Sequence, residues 1–430
     1  MQWARAALLW LAAWAGAWAG AAAQEPAFVP GVASLLGALR PAKAVVRAVR
    51  AAAPELFVNL TQRLSSWGYP LETHTVRTED GYLLTVHRIP HGRAGANASA
   101  PAPAAGRPPV LLQHGIISCS EYWVLGGPDN APALLLADQG YDVWLNNVRG
   151  NHYSRKHENL RRKDKEFWMF SWHEIGMYDI PAVIDYILNA TQQEKLFYLS
   201  HSMGNTLFYV AMSLRPEYNA KIRLQVALAP AVYLNDTPSV PARLAIANSE
   251  YIKNLVETFP TYEILPKTES AIALNYFLCS DKAFFNKLCA LLFSWIVGAV
   301  DLNNTTNLCL VLARSTSSTS ALVPWHFAQI SRSGEFTQMD LGRSRNMRSY
   351  GAPSPPAYPL HRVTAPAAIY VADGDFIVTA KGTERLSKIL PNVVLHKVIR
   401  EKFFNHMDFV THPRVKELVM DHVLETMARF

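Results

Sequence analysis

The stretch FYLSHSMGNT, residues Phe197 to Thr206, decides how the rest of the chain is interpreted. KLFYLS is typical of a buried strand and MGNTLFYVAMSL of a helix, so Ser202 is predicted at a sharp strand-to-helix turn. Such a turn presents a serine hydroxyl as a nucleophile and needs small residues two positions before and after it, because strand and helix approach closely. Gly204 meets the second requirement, whereas Ser200 stands where glycine is usual. The stretch therefore predicts a nucleophile at Ser202, with a chance S-x-S-x-G as the alternative.

A serine hydroxyl is a poor nucleophile at neutral pH, so a histidine base and an orienting carboxylate should follow it in the order Ser, Asp, His. Asp375 lies just beyond the predicted strand AAIYVAD, and His406 lies in FFNHMDF just beyond the predicted strand VVLHKVI. Asp373 competes for the acid position, and Asp375 is preferred because it stands further past the strand. His412 is interpreted as a surface residue.

An oxyanion hole needs backbone N–H groups from the residue after the nucleophile and from a loop after an early strand. Met203 supplies the first, and Ile116 in QHGI supplies the second, with Gly115 allowing the turn. His114 is interpreted as a structural histidine that bonds within its loop.

Strands and helices alternate on both sides of this stretch. TVRTEDGYLLTV has Asp80 and Gly81 between two β-rich pieces and predicts a hairpin. PVLLQHGI, GYDVWLNN, DIPAVIDYIL and the Ser202 region then predict a mostly parallel sheet with helices on both faces. The alternation stops after Leu234 and resumes at Ala365, which predicts an insertion near the strand ends, where clefts of open α/β sheets lie.

The beginning of the chain has the pattern of a signal peptide. Residues 1–23 have a basic residue, Arg5, near the start, then an apolar stretch, and then small residues of the kind found at a signal-peptide cleavage site. An uncleaved membrane anchor is the alternative. Residues 24–67 form an alanine-rich N-terminal segment, interpreted as a pro-region or a surface helix. CALLFSWIVGAV, from Cys289 to Val300, has the length of a buried core or interfacial helix rather than of a membrane span.

Composition excludes several classes of protein. Of 430 residues, 50% are hydrophobic and 17% are charged, which suits a large core and not a disordered chain. The net charge of +7 raises the question of nucleic acid, but the basic residues are scattered, with only short clusters such as RRKDK from Arg161 to Lys165. No nucleic-acid partner is expected, because such sites gather charge on one face.

Entry into the secretory pathway would allow disulfides and N-glycosylation. Cys279 and Cys289 are close enough to close a small loop, and one bridge between them is favoured over four buried thiols. The glycosylation acceptor triplets begin at Asn59, Asn97, Asn189, Asn235, Asn303 and Asn304.

From Gly68 to its C-terminus the sequence resembles the acid lipase family of α/β-hydrolases, the group that includes gastric lipase and lysosomal acid lipase. The motifs that carry the resemblance are TEDGYLLTVHRIP, LLQHGI, ADQGYDVWLNNVRGNHYSR, EFWMFSWHEIGMYDIPAVIDYI, HSMGNT and NHMDF, together with their spacing.

The resemblance implies an α/β-hydrolase fold, with a core formed by residues 68–234 and 355–430 and an inserted helical cap or lid at 235–354. It implies a triad of Ser202, Asp375 and His406, with Ile116 and Met203 as oxyanion donors. Cys279 and Cys289 resemble the family's cap disulfide. Three features depart from the family pattern: Ser200 replaces glycine, Met203 replaces glutamine, and ADGD at 372–375 replaces G-G-x-D.

The implied activity is a secreted or lysosomal serine lipase that acts at a lipid–water interface on triacylglycerols or sterol esters. No metal, organic cofactor or stable partner protein is expected. Two alternatives are an inactive hydrolase-fold protein that binds lipid and an esterase for small soluble esters.

Overall fold

The computed structural model describes residues 43–93, 106–251, 254, 262–301 and 308–430. The predicted signal peptide at 1–23, the first part of the 24–67 segment, and the acceptor residues Asn97, Asn303 and Asn304 lie outside these ranges. The described end of the alanine-rich stretch is helical from Lys43 to Ala52, as its composition predicts.

A mixed, mostly parallel sheet forms the centre of the molecule, in the strand order β1-β2-β4-β3-β6-β7-β10-β11 with β5 beside β2. From β4 to β11 every neighbouring pair is parallel, whereas β1, β2 and β5 are paired antiparallel at one edge. This confirms the predicted fold class. The strands are β1 (Glu72–Arg77), β2 (Tyr82–Ile89), β3 (Pro109–Gln113), β4 (Asp142–Leu145), β5 (Lys156–His157), β6 (Leu196–His201), β7 (Ile222–Leu228), β8 (Glu263–Ile264), β9 (Thr319–Ser320), β10 (Ala367–Ala372) and β11 (Val393–Ile399).

Helices cover both faces of the sheet and fill the insertion. A π-helical turn at Ile175–Asp179 joins the two parts of one of these helices, and another at Lys416–Met420 directly precedes the last helix of the chain. The helices are α1 (Lys43–Ala52), α2 (Leu60–Ser66), α3 (Pro132–Asp138), α4 (Trp172–Glu174 and Ile180–Thr191), α5 (Met203–Leu214), α6 (Val240–Ala247), α7 (Glu269–Cys279), α8 (Asn286–Val297), α9 (Leu308–Arg314), α10 (Leu322–Ser333), α11 (Arg343–Tyr350), α12 (Ala380–Ile389), α13 (Asp408–Thr411) and α14 (Asp421–Met427).

Two apolar clusters, one on each face of the sheet, form the core. Strand β3 shows the division, because Val110 and Leu112 belong to one cluster and Leu111 to the other. Successive side chains of a strand point to opposite faces, and every residue of β3 is buried. A sheet covered on both faces needs continuous apolar strands, which explains why β3 and β6 lack polar alternation.

The insertion lies between β7 and β10, and its described part holds helices α6 to α11 with the small antiparallel ribbon β8–β9. A disulfide joins Cys279 at the end of α7 to Cys289 in α8, within a third apolar cluster. Helix α8 matches the stretch predicted to be buried or interfacial. Within the described ranges no helix has the length and hydropathy needed to cross a membrane.

Candidate active site

Ser202 occupies a strained turn between β6 and α5. Its φ of +56° and ψ of −121° lie in a region that non-glycine residues rarely adopt, and such strain is concentrated at functional sites. The N–H of Ser202 donates to the carbonyl of Leu228 at 3.0 Å, which fixes the turn to β7. A Cβ on Gly204 would lie 2.4 Å from the carbonyl oxygen of Gln113, so only glycine fits at this crossing of helix and strand.

Ser200 is accommodated by a partner that the sequence interpretation missed. Its hydroxyl donates to Oδ1 of Asn205 at 2.6 Å, and Nδ2 of Asn205 donates to the carbonyl of Leu228 at 2.9 Å. Ser200 and Asn205 are both fully buried, and buried polar groups in proteins are nearly always paired. A polar Asn205 three residues after Ser202 in an apolar helix was the signal available in the sequence.

Ser202, His406 and Asp375 form one hydrogen-bonded chain. Nε2 of His406 lies 2.9 Å from the Ser202 hydroxyl, and Nδ1 lies 2.7 Å from Oδ2 of Asp375. The other carboxylate oxygen of Asp375 accepts the N–H groups of Ile377 and Val378 at 2.7 and 2.9 Å. The acid is therefore fixed by its own loop, and the geometry is that of a nucleophile, a base and an orienting group.

Asp373, the competing candidate for the acid, and His412 both lie outside this hydrogen-bonded chain. Asp373 has a half-exposed side chain, and its carboxylate lies 3.5 Å from Nε of Arg400 rather than near His406. His412 is half-buried, where the sequence indicated a surface residue, because its ring packs on Phe404 and its Nδ1 accepts the N–H of Arg414.

The loop after β3 passes directly beside Ser202. A Cβ on Gly115 would lie 3.1 Å from Cβ of Ser202, and Ile117 has a left-handed φ of +49° that turns the chain. Gly115 therefore lies against Ser202, with Ile116 next in the loop and Met203 next in the chain after Ser202. The role of Ile116 and Met203 as oxyanion donors stays a prediction.

His114, in the same loop, has structural contacts. Its Nδ1 donates to the carbonyl of Gly115 at 2.8 Å, and Nδ2 of Asn151 lies 3.3 Å from its Nε2. Burial lowers the pKa of the His114 imidazole to about 4, so it stays neutral and bonded within the loop.

His201 is a second neighbour of the site that the sequence interpretation missed. Its Nε2 donates to the backbone carbonyl of His406 at 2.8 Å, and the two ring centroids are 4.7 Å apart. Burial, and then the neighbouring His406, hold the pKa of His201 well below the usual range. A neutral His201 therefore bonds to the His406 backbone without adding a positive charge beside the His406 ring.

One cluster in the described residues, Cys119, Glu121 and His152, has metal-ligand character. However, the carboxylate of Glu121 already pairs with the guanidinium of Arg314 and with Nζ of Lys267 at 3.3 Å. Burial raises the pKa of the Cys119 thiol to about 12, which keeps it protonated. Two cations and a neutral thiol make an unfavourable metal site, so the cluster is better described as an ion-pair network between core and insertion.

The predicted modification sites fall into two groups. Asn59, Asn189 and Asn235 are exposed, as glycosylation requires, and Asn59 also caps helix α2 by accepting the N–H of Gln62. The predicted pairing of Cys279 with Cys289 is present in the structure, whereas Cys119 and Cys309 are buried free thiols.

Comparison with known proteins identifies similar chains. A family model described as a partial alpha/beta-hydrolase lipase region matches residues 60–127, and one described as the alpha/beta hydrolase fold matches residues 108–413. Lipase member K of Homo sapiens is 37% identical over 358 residues, which cover 83% of this chain and 87% of that protein.

Two further relatives have names that specify a substrate or a compartment. Gastric triacylglycerol lipase of Bos taurus is 36% identical over 87% of this chain and 92% of its own length. A putative lysosomal acid lipase/cholesteryl ester hydrolase of Crotalus adamanteus is 35% identical over 85% of this chain and 89% of its own length. Each alignment spans most of both chains.

Proposed function

Because the chain belongs to the α/β-hydrolase family of gastric and lysosomal acid lipases, we propose that it is a serine lipase that hydrolyses neutral lipid esters through Ser202, His406 and Asp375. The observation that carries this proposal is the continuous hydrogen-bonded chain from the Ser202 hydroxyl through His406 to Asp375.

The proposed reaction is acyl transfer in two steps. Nε2 of His406 takes the hydroxyl proton while Oγ of Ser202 attacks the ester carbonyl, and Asp375 orients the imidazole through Nδ1. His406 then gives the proton to the leaving alcohol, which leaves an acyl group on Ser202. Water repeats the sequence, with His406 as base, and releases the fatty acid. The N–H groups of Ile116 and Met203 are proposed to stabilise the oxyanion formed in each step.

The neutral-lipid substrate is supported by the relatives' names and by the surface of the insertion. Gastric triacylglycerol lipase and the cholesteryl ester hydrolase are both named for water-insoluble esters. Helix α8 and the loop before it expose large apolar side chains, and large exposed apolar patches mark interaction sites. These side chains are Phe284, Phe285, Leu288, Leu291 and Trp295.

The insertion is proposed to act as a cap over the site. Ser202, Asp375 and His406 are only 6%, 3% and 3% exposed, so a lipid ester reaches the hydroxyl only if covering groups move. Such a closed arrangement excludes water from the reacting atoms, which strengthens the electrostatic interactions there.

A secreted or lysosomal location is proposed. A disulfide forms and persists in the secretory pathway and is rare in the cytosol, and three described acceptor asparagines are exposed. The family includes named gastric and lysosomal members, which supports both destinations.

The test compares the purified glycoprotein with Ser202→Ala on short-chain and long-chain esters, each presented in solution and as an emulsion. We expect the substitution to lower kcat by at least about 10⁴-fold, because no other group replaces the nucleophile. Binding of a lipid ester to Ser202→Ala should persist, since the substitution removes one oxygen and leaves the rest of the site.

Each outcome selects one function. Faster hydrolysis of emulsified long-chain esters supports the lipase, and faster hydrolysis of dissolved short-chain esters identifies a soluble esterase. Lipid binding without any Ser202-dependent hydrolysis would replace both with the lipid-binding function.

A further inference from the structure

Where helix α8 ends, the chain crosses the two loops that carry Asp375 and His406. The carbonyl oxygen of Val297, the last residue of α8, accepts the N–H of His406 at 3.0 Å and the N–H of Phe376 at 3.3 Å. One carbonyl of the insertion therefore bonds to the backbone of the base and to the residue after the acid.

Gly298 continues this contact with a conformation that only glycine adopts readily. It forms an isolated antiparallel bridge with Asp375, at a φ of +118° and a ψ of −178°. A Cβ at this position would lie 2.0 Å from the carbonyl oxygen of Gly374 and 3.1 Å from Cβ of Asn405. Any side chain would push the acid loop and the base loop away from the insertion.

Ala299 completes the contact on the base side. Its carbonyl oxygen accepts Nδ2 of Asn405 at 3.3 Å, and Oδ1 of Asn405 accepts the N–H of Met407 at 2.9 Å. Residues 297–299, called the strap below, thus bond to the residues that flank the acid and the base. The strap is separate from the nucleophile turn, which is fixed by Leu228 and Asn205.

The acid and base loops also touch each other without the strap. A Cβ on Gly374 would lie 2.4 Å from the carbonyl of Phe404, and Nδ1 of His406 bonds to Asp375. These contacts set the two loops against each other. His201, the residue before Ser202, bonds to the carbonyl of His406, whereas the strap bonds to the N–H of His406 and to the acid loop. The strap therefore adds a second anchor that fixes the acid and base loops together.

We propose that the strap, with Gly298 at its centre, is a positioning element of the triad, so that the insertion aligns the acid and base as well as covering the site. This inference rests on the proposed hydrolase function. A displacement of about 1 Å in a catalytic group lowers a rate by roughly 10²-fold, because the reacting atoms must meet in a narrow range of geometries.

The test is Gly298→Ala, with Gly342→Ala as the matched control. Gly342 also lies in the insertion and has a φ of +87°, but no described atom lies within 4 Å of its added Cβ. We expect Gly298→Ala to lower kcat by about 10²-fold with KM within about threefold, since an interaction that acts only in the transition state is lost. Gly342→Ala carries similar backbone strain and should keep kcat within about twofold.

A second variant, Asn405→Ala, tests the same contact without backbone strain. It removes the bond to Ala299 and also the bond from the N–H of Met407, and it should lower kcat about tenfold with KM unchanged. Adding it to Gly298→Ala should cause a clearly smaller further loss, because the contact with the strap is common to both variants. Multiplicative losses in the double variant would overturn the proposal. If Gly298→Ala fails to fold, Asn405→Ala alone decides, and an unchanged kcat overturns it.

Failure of the inference and failure of the proposed function are distinguishable. Hydrolysis that is lost in Ser202→Ala but unchanged in Gly298→Ala overturns the strap and keeps the hydrolase. A Gly298→Ala variant whose defect appears in KM alone also overturns it, because that result places the strap in substrate binding. Thermal unfolding of each variant, compared with Gly342→Ala, must show a folded protein at the assay temperature.

Discussion

Two carboxylates with buried side chains, Asp375 and Asp179, have different hydrogen-bond partners. The partner determines whether a proton can be exchanged at each site. Asp375 accepts two backbone N–H groups of its own loop and one bond from Nδ1 of His406. Asp179 accepts the N–H and Nε of Arg149, at 2.9 and 2.7 Å, and no part of its side chain is exposed.

The partner decides what each carboxylate can do. Arginine stays protonated at every physiological pH and offers donors only, so Arg149 cannot exchange a proton with Asp179. Burial raises the pKa of Asp179 to about 6 against the lowering effect of Arg149, so the pair is ionised above that pH. Arg149 extends it to Asp80 in the β1–β2 turn and lies over the ring of Tyr82, which joins the hairpin to helix α4. Histidine can lose and accept a proton, so the partner of Asp375 is a group that is able to change its protonation state.

The largest expected effect comes from Asp375→Asn. The amide keeps an oxygen for the N–H groups of Ile377 and Val378 but presents NH₂ to Nδ1 of His406, which forces the proton onto Nε2 and removes the base. We expect kcat to fall by about 10⁴-fold with little change in unfolding temperature. Steady-state hydrolysis measures kcat, and calorimetry measures the unfolding temperature.

The control for that variant is Asp373→Asn, two residues earlier in the same loop. Its half-exposed carboxylate faces Arg400, so hydrolysis should stay within about twofold. If Asp375→Asn kept more than a tenth of the activity, the role proposed for Asp375 would be wrong.

The opposite result is expected for Asp179→Asn, which should lower the free energy of unfolding and leave the rate of hydrolysis nearly unchanged. After this substitution the buried Arg149 keeps only the partly exposed Asp80 as its charged partner, so the change should cost up to about 3–5 kcal/mol in unfolding free energy. Urea unfolding measures this cost. At a temperature where the variant is folded, kcat should remain within about threefold.

Glu335→Gln is the matched control for an ion pair in solvent. Its carboxylate lies 3.0 Å from Arg385, with both side chains largely exposed, and its loss should cost less than about 1 kcal/mol. Equal costs for Asp179→Asn and Glu335→Gln would contradict the distinction between buried and exposed pairs.

The sequence specifies the fold and the meeting of Ser202, Asp375 and His406 well, because both depend on the order of strands along the chain. Parallel strands end at the same edge of a sheet, so residues just past β6, β10 and β11 must meet there. Ser202, Asp375 and His406 each follow one of these strands, and the structure brings them within hydrogen-bond distance.

The same sequence could not specify the contacts made by long-range packing. Nothing in the spacing of Arg149 and Asp179 distinguishes an ion pair from two surface charges. In the sequence Gly298 is only a glycine at the end of an apolar helix. Its close contact with the loop of Asp375 exists only in the folded structure. The pairing of Ser200 with Asn205 required the three-dimensional turn, because the sequence alone presents Ser200 as a steric departure.

Asp408 is a third buried carboxylate, close to His406 in sequence, and among the described residues neither an arginine nor a histidine is hydrogen-bonded to its side chain. It accepts the N–H of Asn405 at 2.8 Å, and burial raises the pKa of its carboxyl to about 7. An unfolded aspartate has a pKa of about 3.9. Between pH 4 and 7 the folded protein therefore holds a proton that the unfolded chain has released, so stability falls as the pH rises through this window.

Asp408→Asn should remove this dependence, because the amide keeps an oxygen for Asn405 but does not titrate. Relative to the unchanged protein, we expect the variant to gain on the order of 2–4 kcal/mol of unfolding free energy between pH 4 and pH 7. Urea unfolding at several pH values gives the difference, in which the contributions of other titrating groups cancel. Asp129→Asn, whose side chain is 89% exposed, should run parallel to the unchanged protein. Parallel curves for Asp408→Asn as well would mean that Asp408 is ionised in the folded state, and that burial without a cation does not suffice to keep a carboxyl neutral in this loop.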